Sequence, residues 1–413
     1  MKMTGRNTNQ MLHRYMSKAY RKISFLLNKH TNFDETAFVS LKAEGSEKGT
    51  ALISYVAEPF FLRDGESIPN SHTHYLESLE MAQTFRRCGY SVDIISYRNT
   101  LFKPRKKYTF FIGARTNFER VARLLNDECI KIAHMDMSHW LFNNSAAINR
   151  CLQLQQRRGV TLRSYKLQEE NWAVEHADFI TVLGNKFTED TYAYAGKPIY
   201  HLPIPSCITF SEPADKDFGS CKRRFLWFGS RGMVHKGLDL VLEAFLDLPD
   251  HHLTVCGPVT RDKDLKLAKV FQKELYETPN IHTEGWVNVE SPEFAEITGS
   301  CIGMIFPSAA EGGGGCVITT MHAGLIPIVS YEASVDVDSR FGVVLRENTV
   351  EEIKREVLRI SALPDEELKT MSRKSWQVAR QRYTREQYSS AFENIILELV
   401  KKTSANSRQR LGV

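Results

Sequence analysis

From about Lys48 onward, short apolar runs rich in β-branched and aromatic residues alternate with helical stretches. ALISYV (51–56) comes first. Leu76, Leu79, Ala82 and Phe85 then step along one helical face that Gly89 ends, and SVDIIS (91–96) returns as a strand. TFFIG (109–113), IKIAH (130–134), FITVLG (179–184) and IYHLP (199–203) continue the series. Strands that are apolar throughout, separated by helices, belong in a parallel sheet covered on both faces.

A polar stretch (206–224) with Pro, Ser and mixed charge interrupts the pattern and reads as an interdomain linker. The alternation then restarts with FLWFG (225–229), HLTVCG (252–257), a helix near 264–276, NIHTEGWV (280–287), IGMIFP (302–307) and IPIVS (326–330), before a helical tail over roughly 350–402. Two consecutive doubly wound α/β domains are expected, at 48–205 and 225–383. Such an arrangement places a ligand cleft between them at the carboxyl ends of the strands.

Composition narrows the function classes. The net charge of +5 comes from the two ends, since residues 1–30 carry seven Lys/Arg and no acid and residues 401–413 carry four more. The remaining body has 43 bases against 49 acids, unlike a uniformly basic nucleic-acid binder. No run of about 18 apolar residues suggests a spanning helix. The start, MKMTGRNTNQ, leads into no apolar core with a small-residue cleavage site, and the eight cysteines are scattered without a C-x-x-C pair. A cytoplasmic protein with reduced thiols is the expectation. Residues 1–47 read as a basic extension in which Leu12, Met16, Ala19 and Ile23 share one helical face, with Arg14, Lys18 and Arg21 away from it. Such a helix, over 9–28, can dock on protein or lie peripherally on an anionic membrane at its inner face.

Two segments carry the chemistry. FLWFGSRGMVHKG (225–237) runs from a strand into a turn opened by Gly229 and Ser230, with Arg231 and Lys236 five residues apart ahead of a helix. Two cations near a helix N-terminus suit a diphosphate, although a solvated basic loop has the same composition. In PSAAEGGGGCVITTMHAGLIPIVS (307–330), Gly312, Gly313, Gly314 and Gly315 separate a strand from a helix, so backbone N–H groups can approach a ligand without Cβ obstruction. Glu311 stands at the mouth of that loop.

The pairing F-x-x-R-x-x-x-x-K-G with P-S-x-x-E-G-x-G…M-x-x-G-x-P-x-V resembles the retaining GT-B glycosyltransferases, family 4 in particular. The likeness extends over roughly 170–383, including AVEHADFITVLG (173–184). It implies a GT-B fold of two Rossmann-like domains facing a central cleft, a nucleotide-sugar donor, a glycan or lipid-linked acceptor, and neither a metal nor a resident cofactor. Arg231 and Lys236 match the pair that binds the donor diphosphate, and Glu311 matches the glutamate contacting the donor sugar. Gly313 and Gly314 match the amide-lined loop, and Gly285, Trp286 and Val287 the segment whose backbone meets the nucleobase. One departure stands out: the second glutamate of that motif, which holds ribose, is Thr319 here. The final helix, 384–402, is expected to cross back to the first domain ahead of a basic tail at 403–413.

For the acceptor side the resemblance implies a histidine after a central strand. His134 is the first choice and His139 the alternative, and with Asp136 the two could also be read as metal ligands. Asn70, Ser71 and His72 precede a helix where Ser71 or Asn70 could cap. The D-x-D triplet Asp336-Val337-Asp338 reads as coincidental. The expected function is sugar transfer with retention, with His134, Arg231, Lys236 and Glu311 as its catalytic residues. The alternative is a degenerate GT-B protein that binds a nucleotide sugar or glycan without turnover, which the change at Thr319 favours. A nicotinamide oxidoreductase would need G-x-G-x-x-G after the first strand, and none is there.

Overall fold

The apolar runs assemble into two sheets. The computed structural model describes residues 35–63, 65–70, 72–259 and 265–410. The basic helix expected over 9–28, Ser71, and the last three residues of the tail lie outside the described residues.

The first sheet contains β1 (Phe38–Leu41), β2 (Gly49–Tyr55), β3 (Tyr90–Ser96), β4 (Phe110–Gly113), β5 (Ile130–Met135), β6 (Phe179–Leu183) and β7 (Ile199–Leu202), in the order β1-β3-β2-β4-β5-β6-β7. All pairs are parallel except β1, which lies antiparallel on β3 with Phe38 opposite Ile95. Every residue of β3 is buried, as an inner strand covered on both faces must be. Strand β1 corrects the expected domain boundary at 48. It falls in the segment read as extension because four residues of alternating exposure on a sheet edge carry no continuous apolar signal.

The second sheet is wholly parallel. It contains β8 (Arg224–Phe228), β9 (His252–Cys256), β10 (Ile281–Gly285), β11 (Gly303–Phe306), β12 (Ile326–Ser330) and β13 (Val343–Leu345), in the order β10-β9-β8-β11-β12-β13. This is the 3-2-1-4-5-6 order of a dinucleotide-type fold. The order reverses between β8 and β11, so a crevice opens outside their carboxyl ends. Those two ends emit the turn 229–237 and the loop 307–314, the two segments singled out in the sequence. The first sheet reverses between β2 and β4, and its corresponding edge faces the same crevice.

Helix α1 (His74–Arg87) follows β2, α2 (Trp140–Arg158) follows β5, α3 (Leu238–Leu246) follows β8 and α4 (Gly315–His322) follows β11. The helical tail is three helices, Val350–Ser361, α5 (Asp365–Arg382) and α6 (Arg385–Arg410). Helix α6 returns to the first domain. Its buried Tyr388, Phe392, Ile396 and Leu399 face α1 and β7, Phe392 meets Phe85 edge-on at 5.5 Å, and Arg385 pairs with Glu80. Each such side chain stabilises the crossing by roughly 1.5–3 kcal/mol.

Two expectations are corrected. The stretch read as a linker is fastened to the second domain: Phe218 and Cys221 of a short helix are buried in its core, and Trp376 of α5 donates to the Phe210 carbonyl at 3.0 Å. The single helix near 264–276 is two, Leu265–Val270 and Gln272–Tyr276, because fully buried Phe271 leaves helical geometry to pack under Arg158. All eight cysteines are free. Among the described residues no helix is long and apolar enough to cross a membrane.

The domains meet closely. From α2, Arg150 donates to the Pro307 carbonyl at 3.0 Å, Arg157 pairs with Asp239 and Glu243, and Arg158 pairs with Glu243 and Glu274. Asn70 donates to Asn288 across the cleft at 3.0 Å.

Candidate active site

A cleft of about 360 Å³ lies between the domains, within the range of small-ligand sites. The turn after β8 supplies its central cation. Trp227 donates from Nε1 to the Lys236 carbonyl, which fixes the turn, and Gly237 at φ 72° lets it press on Pro307. A Cβ at Gly237 would lie 2.6 Å from the Pro307 oxygen, so no other residue permits this approach. The result is a salt bridge of 2.5 Å between Lys236 Nζ and Glu311 Oε1, reinforced by Ser308 Oγ donating to the same oxygen at 2.9 Å. Burial works against both charges. Their mutual attraction outweighs it, raising the Lys236 pKa and lowering that of Glu311 to about 2, with Lys166 adding to the latter. A charged pair thus sits ready-formed in a low-dielectric cleft, where it acts strongly on any charge that develops nearby.

The four glycines all line the cleft, and Gly312 and Gly313 also carry the domain contact. A Cβ at Gly312 would lie 2.1 Å from the Asp136 carbonyl oxygen at the end of β5, and one at Gly313 would lie 2.1 Å from Ile204 Cδ1. Gly314, at φ 56°, caps α4, and the helix N-terminus opens toward the cleft. Close packing against the first domain therefore accounts for Gly312 and Gly313 as directly as amide donation does.

The first domain forms the floor around Asp136, which the sequence offered only as a possible metal ligand, together with Arg115, which it did not single out. Asp136, just past β5, receives Arg115 at 2.6 Å and faces His74 Nε2 at 3.5 Å. Burial opposes the Asp136 charge, but Arg115 and the histidines hold its carboxyl well below the usual range. Beneath it Glu77 takes hydrogen bonds from Tyr55 (2.8 Å) and Thr73 (2.7 Å). Burial also lowers the pKa of His74.

The histidines named from sequence are placed elsewhere. His134 is buried below the cleft, with Nδ1 2.9 Å from Thr181 Oγ1 and its ring edge-on to Tyr55; it does not line the site. The strand rises two residues further before it reaches the cleft, so Asp136 takes the position expected of His134. His139 caps α2, accepting from the Leu141 N–H at 3.3 Å, and its Nε2 meets Tyr194. Among the described residues no group of three His, Cys, Asp or Glu is placed to hold a metal ion, and Asp338 is tied to Arg340. Asn70 and His72 line the cleft, with the His72 ring 3.8 Å from that of His74.

On the second domain Gly229, Ser230, Trp286, Val287 and Thr319 line the cleft, whereas Gly285 stands behind it with its carbonyl taken by the Gly257 N–H. Thr319 Oγ1 donates to the Gly315 carbonyl at 2.8 Å, a bond within its own helix. Arg231 is exposed and does not line the cleft. Lys166, from the loop after α2, does.

Solved structures share this architecture. Sucrose-phosphate synthase from Thermosynechococcus elongatus matches 86% of this chain and 99% of its own at 12% identity and a TM-score of 0.58. HepE of Anabaena, solved with UDP-glucose, matches 85% of this chain and 100% of its own at 10% identity and a TM-score of 0.54. The fold is GT-B. The pneumococcal O-GlcNAc transferase GtfA, solved with UDP and GlcNAc, matches 80% of this chain at 14% identity and a TM-score of 0.46, and this chain spans only 60% of its length. The family model for glycosyl transferases group 1 matches residues 222–362, the GT-B domain that carries Lys236, Glu311 and the glycine loop. No curated protein sequence matches the chain.

Proposed function

We propose that this GT-B protein transfers a sugar from a nucleoside-diphosphate sugar to an acceptor hydroxyl, with retention of anomeric configuration. The observation that carries the reading is the buried Lys236–Glu311 pair, set at the switch point of the second sheet and aimed into the interdomain cleft. In this reading the donor's nucleoside lies against Trp286 and Val287, its diphosphate against Lys236 and the amides of 312–315, and its sugar against Glu311. The bond from the anomeric carbon to the β-phosphate oxygen breaks, and both electrons leave with the phosphate. Lys236 stabilises that charge as it forms, a contribution of the kind worth about 10²–10³ in rate. The acceptor oxygen bonds to the anomeric carbon from the same face and gives its proton to the departing phosphate oxygen. Asp136, Arg115 and His74 on the opposite wall suit an acceptor rich in hydroxyls, in a glycan or a lipid-linked sugar.

Donor turnover tests this reading. Purified protein is incubated with UDP-, GDP-, ADP- and TDP-sugars, and nucleoside diphosphate release is followed with and without acceptor glycans. Release from one series, lost in Glu311→Gln, is expected. Tight binding of a nucleotide sugar without release would instead support the non-catalytic reading that Thr319 favours. Contact of residues 9–28 with a membrane is tested separately by liposome sedimentation, where equal partitioning with and without residues 1–30 would overturn it.

A further inference from the structure

The cleft lining contains three permanent cations, Arg115, Lys166 and Lys236, against two carboxylates, Asp136 and Glu311. Arg115 is spent on Asp136 and Lys236 on Glu311. The Lys166 ammonium has no hydrogen-bond or ion-pair partner among the described residues. Its backbone is firmly held, since Asn143 donates to the Lys166 carbonyl at 2.7 Å and Asn144 brackets Gln168 through two hydrogen bonds of 2.8 and 2.9 Å. Both asparagines stand on α2, the helix whose arginines join the domains.

The stem of Lys166 crosses the turn after β8 at Gly232. A Cβ there would lie 2.3 Å from Lys166 Cγ and 2.9 Å from Cδ, so a side chain at 232 would displace the lysine. The turn thus leaves Arg231 in solvent and receives a lysine from the opposite domain beside Lys236.

We propose that Lys166, delivered by the first domain, is the second cation on the departing diphosphate, in place of Arg231. This rests on the glycosyl-transfer reading above. It makes the anion site complete only when the domains are together, so closure and leaving-group stabilisation are one event. Burial and the neighbouring Lys236 charge both lower the Lys166 pKa, a cost that a bound anion would relieve.

The test is titration calorimetry of full-length protein with the nucleoside, nucleoside monophosphate and nucleoside diphosphate of the series that binds, on wild type, Lys166→Met, Lys166→Arg and Arg231→Gln. Lys166→Met keeps the stem and removes the charge. It should weaken the diphosphate by about 10- to 100-fold, the span of one charge-assisted hydrogen bond, and leave the nucleoside unchanged. Lys166→Arg should recover most of the loss, and Arg231→Gln should change affinity less than about twofold, as an exposed charge does. Diphosphate affinity that falls in Arg231→Gln and holds in Lys166→Met would overturn the assignment. So would unchanged diphosphate affinity in Lys166→Met with a raised acceptor KM, which would place an acceptor phosphate at Lys166. If wild type binds no nucleoside diphosphate at all, the glycosyl-transfer reading fails, and this proposal with it.

Discussion

Replacing Gly312 by alanine isolates what holds the two domains in register. The backbone at Gly312 lies outside the left-handed region, so alanine adopts it without strain and only the new methyl matters. That methyl would fall 2.1 Å from the Asp136 oxygen, 2.4 Å from its carbonyl carbon and 2.5 Å from Met137 Cα. All three are backbone atoms, so no rotamer change relieves them. Restoring ordinary contact takes a shift of roughly 1.3 Å, by the glycine loop or by the whole first domain. Overpacking of this kind costs about 1–3 kcal/mol, and a displacement near 1 Å between catalytic groups can reduce turnover about 10²-fold. Small-angle scattering should show a larger radius of gyration for Gly312→Ala, and turnover should fall while the nucleoside alone still binds the second domain. Gly299→Ala, where a Cβ meets nothing within 4 Å, serves as the control and should match wild type. Wild-type scattering and wild-type turnover in Gly312→Ala would refute the view that this contact sets the cleft.

Other outcomes follow from the same geometry. Glu311 has a folded pKa of about 2, below its ordinary 4.5, so its stabilising contribution is complete above pH 4.5 and is lost as the pH falls toward 2. The gap in thermal midpoint between wild type and Glu311→Gln should accordingly shrink below pH 4.5, and a gap constant down to pH 3 would contradict the pairing with Lys236. His134→Ala should cost about 2–4 kcal/mol by denaturant titration, as loss of a packed, hydrogen-bonded core side chain does, and leave nucleotide affinity intact. Loss of affinity without loss of stability would return His134 to the site. His139→Ala should lose about 1 kcal/mol of stability and His139→Asn should recover it, because asparagine also caps a helix; circular dichroism melts check both.

Legibility followed the physics of each signal. Apolar strands in parallel sheets are continuous runs, so β2 through β12 were readable to within a residue or two, and with them the two doubly wound domains. The four-residue edge strand β1 and the three-residue β13 bury too little to leave such a run. Lys236, Glu311 and the glycine loop were readable because each lies where a strand meets a helix. Lys166 and Arg115 were not, and Asp136 was legible only as a possible metal ligand, since their importance arises from two domains meeting and no local pattern encodes that. Arg231 shows the reverse: its spacing from Lys236 fits a diphosphate site, but the turn leaves it exposed outside the cleft, which spacing alone does not encode. His134 and Asp136 share one strand face two residues apart, and only the height of the strand end decides which one reaches the cleft.

The most direct test of the account is the thermal shift of wild type and Lys236→Ala with a panel of UDP-, GDP-, ADP- and TDP-sugars, each compared with its own ligand-free midpoint. At about 100 times Kd a ligand specific for the folded state adds about 2.7 kcal/mol. At roughly 2–4 °C per kcal/mol for domains of this size, that is a rise of several degrees. The account predicts such a rise with one nucleotide series in wild type and its loss in Lys236→Ala. No rise with any series, or an equal rise in both proteins, would contradict it.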